Sequence, residues 1–226
     1  MIYLIFIAIA AISYLVQQSL KSKFEKYSKI PLTYNLAGRD VAAKMLYDNG
    51  ISNVSVNSTN GMLTDYYNPE NHSVNLSEGV FSTNSIAAAA VAAHECGHAV
   101  QHARGYSMLR LRSALVPVVS FASQWVSWVL LAGILLIQTM PSILMIGIGL
   151  FALTTLFSLV TLPVEIDASR RAINWLENSG VTQGTSTEYA KDALRAAAYT
   201  YVVAALGSLA TLIYYVLIFM SSRRDD

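Results

Sequence analysis

The stretch Ser85-Ile-Ala-Ala-Ala-Ala-Val-Ala-Ala-His94-Glu95-Cys96-Gly97-His98-Ala-Val-Gln-His102 decides how the rest of the chain is read. It is an alanine-rich run that reads as a helix, and it carries the spacing His-Glu-x-x-His. Residues four apart in a helix lie one turn apart on the same face, so His94 and His98 can hold one metal ion between them. Glu95 directly follows the first of these histidines and can reach a metal-bound water. This is the layout of a zinc hydrolase: neutral imidazoles bind Zn²⁺, the metal lowers the pKa of its water to about 7, and the glutamate takes the proton as water attacks an amide carbonyl. The competing reading is two surface histidines on an amphipathic helix. The whole chain has only four histidines, which makes a chance match at this spacing a poor explanation.

Outward from this helix the composition is that of a membrane protein. Of 226 residues 54% are hydrophobic and 13% charged, and the mean hydropathy is +0.44. The excess is concentrated in blocks that read as membrane spans. The first, Ile2 to Val16, is followed rather than preceded by lysines (Lys21, Lys23, Lys26, Lys29), which fits an uncleaved anchor better than a cleaved signal. Ser113 to Gln138 is long enough to span with tilt, Thr139-Met140-Pro141 makes a charge-free turn, and Ser142 to Pro163 returns as the second arm of a transmembrane hairpin. The last apolar run is Ala196 to Met220. The single cysteine, Cys96, can form no intramolecular disulfide, and packing is its expected job. Net charge is near zero, and no basic patch interleaved with aromatics points to nucleic acid.

Two polar segments lie between the spans. In the first, Asn35 to Asn49 predicts an amphipathic helix with Leu36, Val41, Ala42, Met45 and Leu46 on one side. Strand signals follow at Val54 and Val56, then at Leu63-Thr-Asp-Tyr-Tyr67 and Ser73-Val-Asn-Leu76, with a hairpin turn at Asn68-Pro-Glu-Asn71. Leu63, Thr64 and Asp65 are therefore expected on an edge strand to which an extended peptide could add, or on a hairpin that simply covers a small core. The second segment, 164 to 195, is expected to be helical in two pieces around Ser179-Gly180 and Gly184. The chain thus divides into an anchor (1–20), a soluble zinc-helix segment (21–112), a transmembrane hairpin (113–163), a polar helical segment (164–195) and a last span (196–220).

Charge sets the orientation. Thirteen of the fifteen Lys and Arg residues lie in the two polar segments, which four spans place on one side; Arg223 and Arg224 lie on the other. Positive residues near span ends favour the cytoplasm, so the zinc helix is expected inside and both termini outside. Four Asn-x-Ser/Thr triplets, at Asn53, Asn57, Asn71 and Asn75, fall in an asparagine- and serine-rich stretch and read as chance.

A zinc site of this kind needs a third protein ligand. His102 lies about 12 Å along the helix from His94, too far to share one ion, and reads as a supporting or interface residue. The position two beyond it is Arg104. His72, in the hairpin, is one candidate. Glu165 is a better one, because a carboxylate at the end of an apolar run is costly near lipid unless it is paired or binds a metal. Asp167 and Glu177 are the alternatives, and Asp167 could instead hold a histidine ring N–H.

Four local motifs carry a resemblance: Leu63-Thr-Asp-Tyr-Tyr67 with Val74-Asn-Leu-Ser-Glu78, Ala93-His-Glu-Cys-Gly-His-Ala-Val-Gln-His-Ala103, Leu111-Arg-Ser-Ala-Leu-Val-Pro117, and Thr161-Leu-Pro-Val-Glu-Ile-Asp-Ala-Ser-Arg-Arg-Ala172. In these the chain resembles the bacterial membrane-embedded neutral zinc metallopeptidases often called YugP-like and, more distantly, the gluzincin membrane proteases of the HtpX type. The resemblance implies one Zn²⁺ per chain held by His94, His98 and Glu165, with Glu95 as general base. It also implies a mainly α integral membrane protein of about four transmembrane helices, with a small zincin-like α+β catalytic domain bearing a short β-hairpin. Expected surroundings are a bacterial cell membrane and a polypeptide substrate that is itself membrane-associated. The distant relatives carry an aspartate four residues after the glutamate ligand; here that position is Ser169. The oxyanion of such a reaction needs a further donor, for which Arg170, Arg171, Tyr66, Tyr67 and Tyr189 are the candidates. A non-catalytic, zinc-stabilised membrane adaptor or chaperone is the rival from another class: its metal would be closed by a fourth ligand and it would not need Glu95. A transporter is disfavoured, since the spans hold no Asp, Glu, Lys or Arg.

Overall fold

Helix-forming alanines and leucines dominate the chain, and its computed structural model, which describes residues 2–222 (side chains from residue 6), is built from seven helices and one small sheet among those residues. The expected position of Arg223 and Arg224 opposite the zinc segment falls outside the described residues.

Helix α1 (Ile2–Tyr27) leads to an α/β layer made of α2 (Gly38–Asp48), β1 (Ser55–Thr59), β2 (Tyr66–Asn68), β3 (Ser73–Ser77), the single turn α3 (Glu78–Phe81) and α4 (Ile86–Ala103). Helix α2 begins where the Asp40 carboxylate accepts the Ala37 amide at 2.9 Å, and it buries Val41, Ala42, Met45 and Leu46 as the apolar pattern requires. The sheet has the order β1-β3-β2, with β1 parallel and β2 antiparallel to the central β3, so that Val74 sits between Val56 and Tyr67. The β2–β3 hairpin is present, but its first strand starts at Tyr66, three residues later than the pattern suggests. Leu63, Thr64 and Asp65 are loop, not edge strand: Leu63 has left-handed backbone with φ at +56°, Thr64 Oγ1 donates to the Asn60 carbonyl, and Asp65 accepts from the Ser77 amide at 2.8 Å. Those bonds close the segment on itself and on β3 before pairing can begin.

Helix α4 is the centre of the soluble core. Ser85 caps it by accepting the Ala88 amide, and its alanines are small enough for α2, β3 and α6 to pack closely around it. Three further helices, α5 (Ser107–Leu135), α6 (Pro141–Asn178) and α7 (Thr185–Ser222), are long and apolar enough to cross a membrane. Their outward side chains, Phe121, Trp125, Trp128, Leu131 and Leu135 among them, are exposed, as lipid-facing residues are. At 38 residues α6 is about 57 Å long, roughly 25 Å more than a hydrocarbon core of about 30 Å needs. It runs unbroken through Pro163 and carries its second half into the α/β layer, against α4. The expected polar segment is thus the end of α6 and the start of α7, joined by a turn with Gly180 and Gly184 at positive φ.

Helix α1 lies antiparallel along α7. Phe6 meets the Tyr214 ring edge-on at 5.1 Å, Gly207 leaves room for Ile9, and at the other end Lys23 and Tyr27 both bond Asp192 at 2.7 Å.

Candidate metal centre

The site forms where α4 and α6 cross. Gly97 makes the approach possible: a Cβ there would lie 2.6 Å from the Ala168 carbonyl oxygen, so only glycine lets the two backbones come this close. The crossing brings one face of α4, with His94 and His98, against Glu165 of α6. Ligand atoms of these three residues lie within 4.8 Å of one another. Glu165 Oε2 is 3.1 Å from His94 Nε2 and 3.5 Å from His98 Nε2, and the two imidazole planes stand at 83°. Glu165 is 3% exposed, far from any means of hydrating its charge except through these partners.

The outer ring nitrogens are also held. His94 Nδ1 bonds Ser169 Oγ and His98 Nδ1 bonds Gln101 Oε1, each at 3.1 Å. Gln101 is fully buried, and its amide donates to the Val164 carbonyl at 2.8 Å and to Asp167 at 2.9 Å. Gln101 Oε1 can only accept, so His98 Nδ1 donates to it and the His98 Nε2 lone pair points at the space that Glu165 shares; the Ser169 hydroxyl is able to accept from His94 Nδ1 in the same way. Two imidazoles and a carboxylate, with one further position open to water, are the donor set of a catalytic zinc site, and the residues present fit that ion. Among the described residues no fourth His, Cys, Asp or Glu joins the cluster.

Glu95 is 8% exposed beside the histidines, and its carboxyl is pushed above the usual range, by burial first, against the opposing pull of His94 and His98. It looks into a cleft of about 140 Å³ whose walls include Tyr66, Tyr67, Leu109, Arg112 and Tyr201. A second cavity, of about 150 Å³, shares Asp65, His94, Glu95 and Tyr201 with the first and is otherwise apolar.

The other expected residues separate. Asp167 contacts no histidine; it accepts from Gln101 and from Arg171 Nε at 2.6 Å, so it reaches His98 only through the glutamine. Arg170 lines a different groove, with Asn174 and Arg195. Tyr189 stacks on Tyr27 at 4.9 Å, and Glu177 lies 3.6 Å from Lys191. His72 is stacked on His102, whose Nδ1 bonds the Tyr67 hydroxyl at 2.7 Å, so His72 is away from the cluster and His102 supports the hairpin. Cys96 is fully buried against the Ala42 carbonyl. Sequence reasoning missed Arg112, Tyr201, Gln101 and the part played by Ser169. Arg112 lay inside a quoted motif, and its Nε is buried with no hydrogen-bond partner among the described residues.

No solved structure matches the chain. The sequence profile of a family described as "Putative neutral zinc metallopeptidase" matches residues 2–220. A protein of Bacillus subtilis (strain 168) named "Putative membrane protease YugP" is 42% identical over 226 residues, covering 98% of this chain and 99% of that one. Matched along nearly its whole length on both counts, the chain belongs to this family of neutral zinc metallopeptidases, as its motifs implied.

Proposed function

We propose that the protein is a membrane-embedded zinc endopeptidase that cleaves polypeptides at the membrane surface, with one zinc per chain held by His94, His98 and Glu165. The observation that carries this reading is the convergence of the two Nε2 atoms and Glu165 Oε2 beside the buried Glu95, at the bottom of an open cleft. A zinc ion supplies Lewis acidity there, polarising an amide carbonyl and bringing the pKa of water to about 7. The remaining work falls to side chains. Ser169 and Gln101 keep each histidine in the tautomer that offers Nε2. Glu95, buried beside the two histidines, accepts a proton from the attacking water and returns it to the leaving amine. Arg112 and Tyr201, on the cleft wall, are placed to donate to the carbonyl oxygen as it gains charge.

Three observations support the setting. Glu165 follows directly on the apolar half of α6, which supports a site near the membrane boundary. The pairing of α1 along α7 supports reading α1 as a fourth span. The thirteen cationic residues of the polar segments support a cytoplasmic orientation for the layer that carries the site. A structural zinc would be closed by a fourth protein ligand, and the cluster offers three among the described residues.

Metal analysis of the purified chain tests the ligand set. Glu165→Ala and His98→Ala should each lose bound zinc while the wild type holds one equivalent; unchanged zinc in Glu165→Ala removes the carboxylate from the site.

A further inference from the structure

The second cavity beside the metal cluster has no role in the chemistry described so far. It is bounded by Leu20 and Phe24 of α1, Ala87, Ala90 and Val91 of α4, and Ala193, Leu194 and Ala197 of α7, with Leu63 at its mouth. The alanines make it. Where α4 and α7 face each other, both helices present small side chains, so the space between them is left unfilled while the surrounding core is packed. At about 150 Å³ it matches the size of an apolar cavity that takes up a benzene molecule. Its far walls belong to α1 and to α7, which is long and apolar enough to cross a membrane, and its near wall is His94 and Glu95 themselves.

We propose that this cavity is the specificity pocket of the peptidase, taking a large apolar side chain such as Leu, Met or Phe from the residue next to the scissile bond. The proposal rests on the peptidase reading above. A peptide carbonyl brought to the cluster has its neighbouring side chain within one residue's reach of the pocket, because the two cavities share Asp65, His94, Glu95 and Tyr201. Asp65 and Glu95 on the shared wall repel acidic side chains from it. Because α1 and α7 form the walls, the bond that fits is one at the end of a membrane-associated apolar segment rather than one in a soluble loop.

The test uses the full zinc-loaded chain in detergent and a peptide series differing at one position, with Phe, Leu, Ala or Asp. The wild type should favour Phe and Leu over Ala by about tenfold or more in kcat/KM, and over Asp by more still. Ala197→Leu fills the pocket and should abolish or invert the Phe-over-Ala preference. Phe24→Ala, which widens the pocket, should improve cleavage of a Trp peptide relative to Leu, and it serves if Ala197→Leu does not fold. The preference for Phe and Leu over Ala should appear also as dissociation constants measured on Glu95→Gln, which do not depend on turnover. Absence of cleavage by the wild type overturns the peptidase reading; an unchanged ranking in both pocket variants, in cleavage or in binding, overturns the pocket.

Discussion

A histidine that offers Nε2 to a metal must keep its other ring nitrogen protonated, and the chain assigns one residue to each: Ser169 to His94 and Gln101 to His98. That His94, His98 and Glu165 would come together was legible from the spacing in α4 and from a carboxylate stranded after an apolar run. Their supports were not. Ser169 stood out only as a departure from the relatives' aspartate, yet its hydroxyl reaches His94 Nδ1. Asp167, two residues from Glu165, turns to another face of α6 and finds Gln101 instead of a histidine. Such contacts join residues 66 to 75 positions apart, and no local pattern encodes them. Ser169→Ala should therefore keep the fold and weaken zinc binding by about 10- to 100-fold, measured by competition with a chromophoric chelator. An affinity equal to wild type would deny the serine this role.

Helices α4 and α6 meet at Gly97 and Ala168, and the metal cluster exists only because that meeting is close. Gly97→Ala must move one backbone from the other, with an expected loss of about 1–3 kcal/mol in stability and a weaker hold on zinc. Gly79→Ala is the control, since a Cβ there meets nothing within 4 Å. Thermal unfolding in detergent with and without zinc reads both variants; equal stabilities would show that the crossing has slack. The helices themselves were legible from their apolar runs, but their ends were not. An apolar run reports where lipid stops, whereas α6 continues past Pro163 because the proline breaks only one turn's bonding and packing against α4 holds the rest. The strand beginning was misplaced for a similar reason: Leu63 to Tyr67 looks like a strand in composition, and Asp65 is withdrawn from it by the Ser77 amide.

Taken whole, the molecule joins a small α/β layer to a bundle of long apolar helices, with the cluster at the junction. The orientation proposed from charge predicts that a cysteine placed at Asn57, on an exposed strand, is labelled by a membrane-impermeant reagent only after cells are opened; buried Cys96 stays silent in both conditions. Labelling in intact cells would reverse the topology. The central claim is that this junction hydrolyses peptide bonds with Glu95 as the base. Glu95→Gln keeps the size and hydrogen bonding of the side chain but cannot take the proton. Zinc content, thermal stability and peptide cleavage measured on one preparation should show metal and fold retained and cleavage lowered by a factor of about 10² to 10⁴. Full cleavage by Glu95→Gln, with zinc bound, would contradict the account.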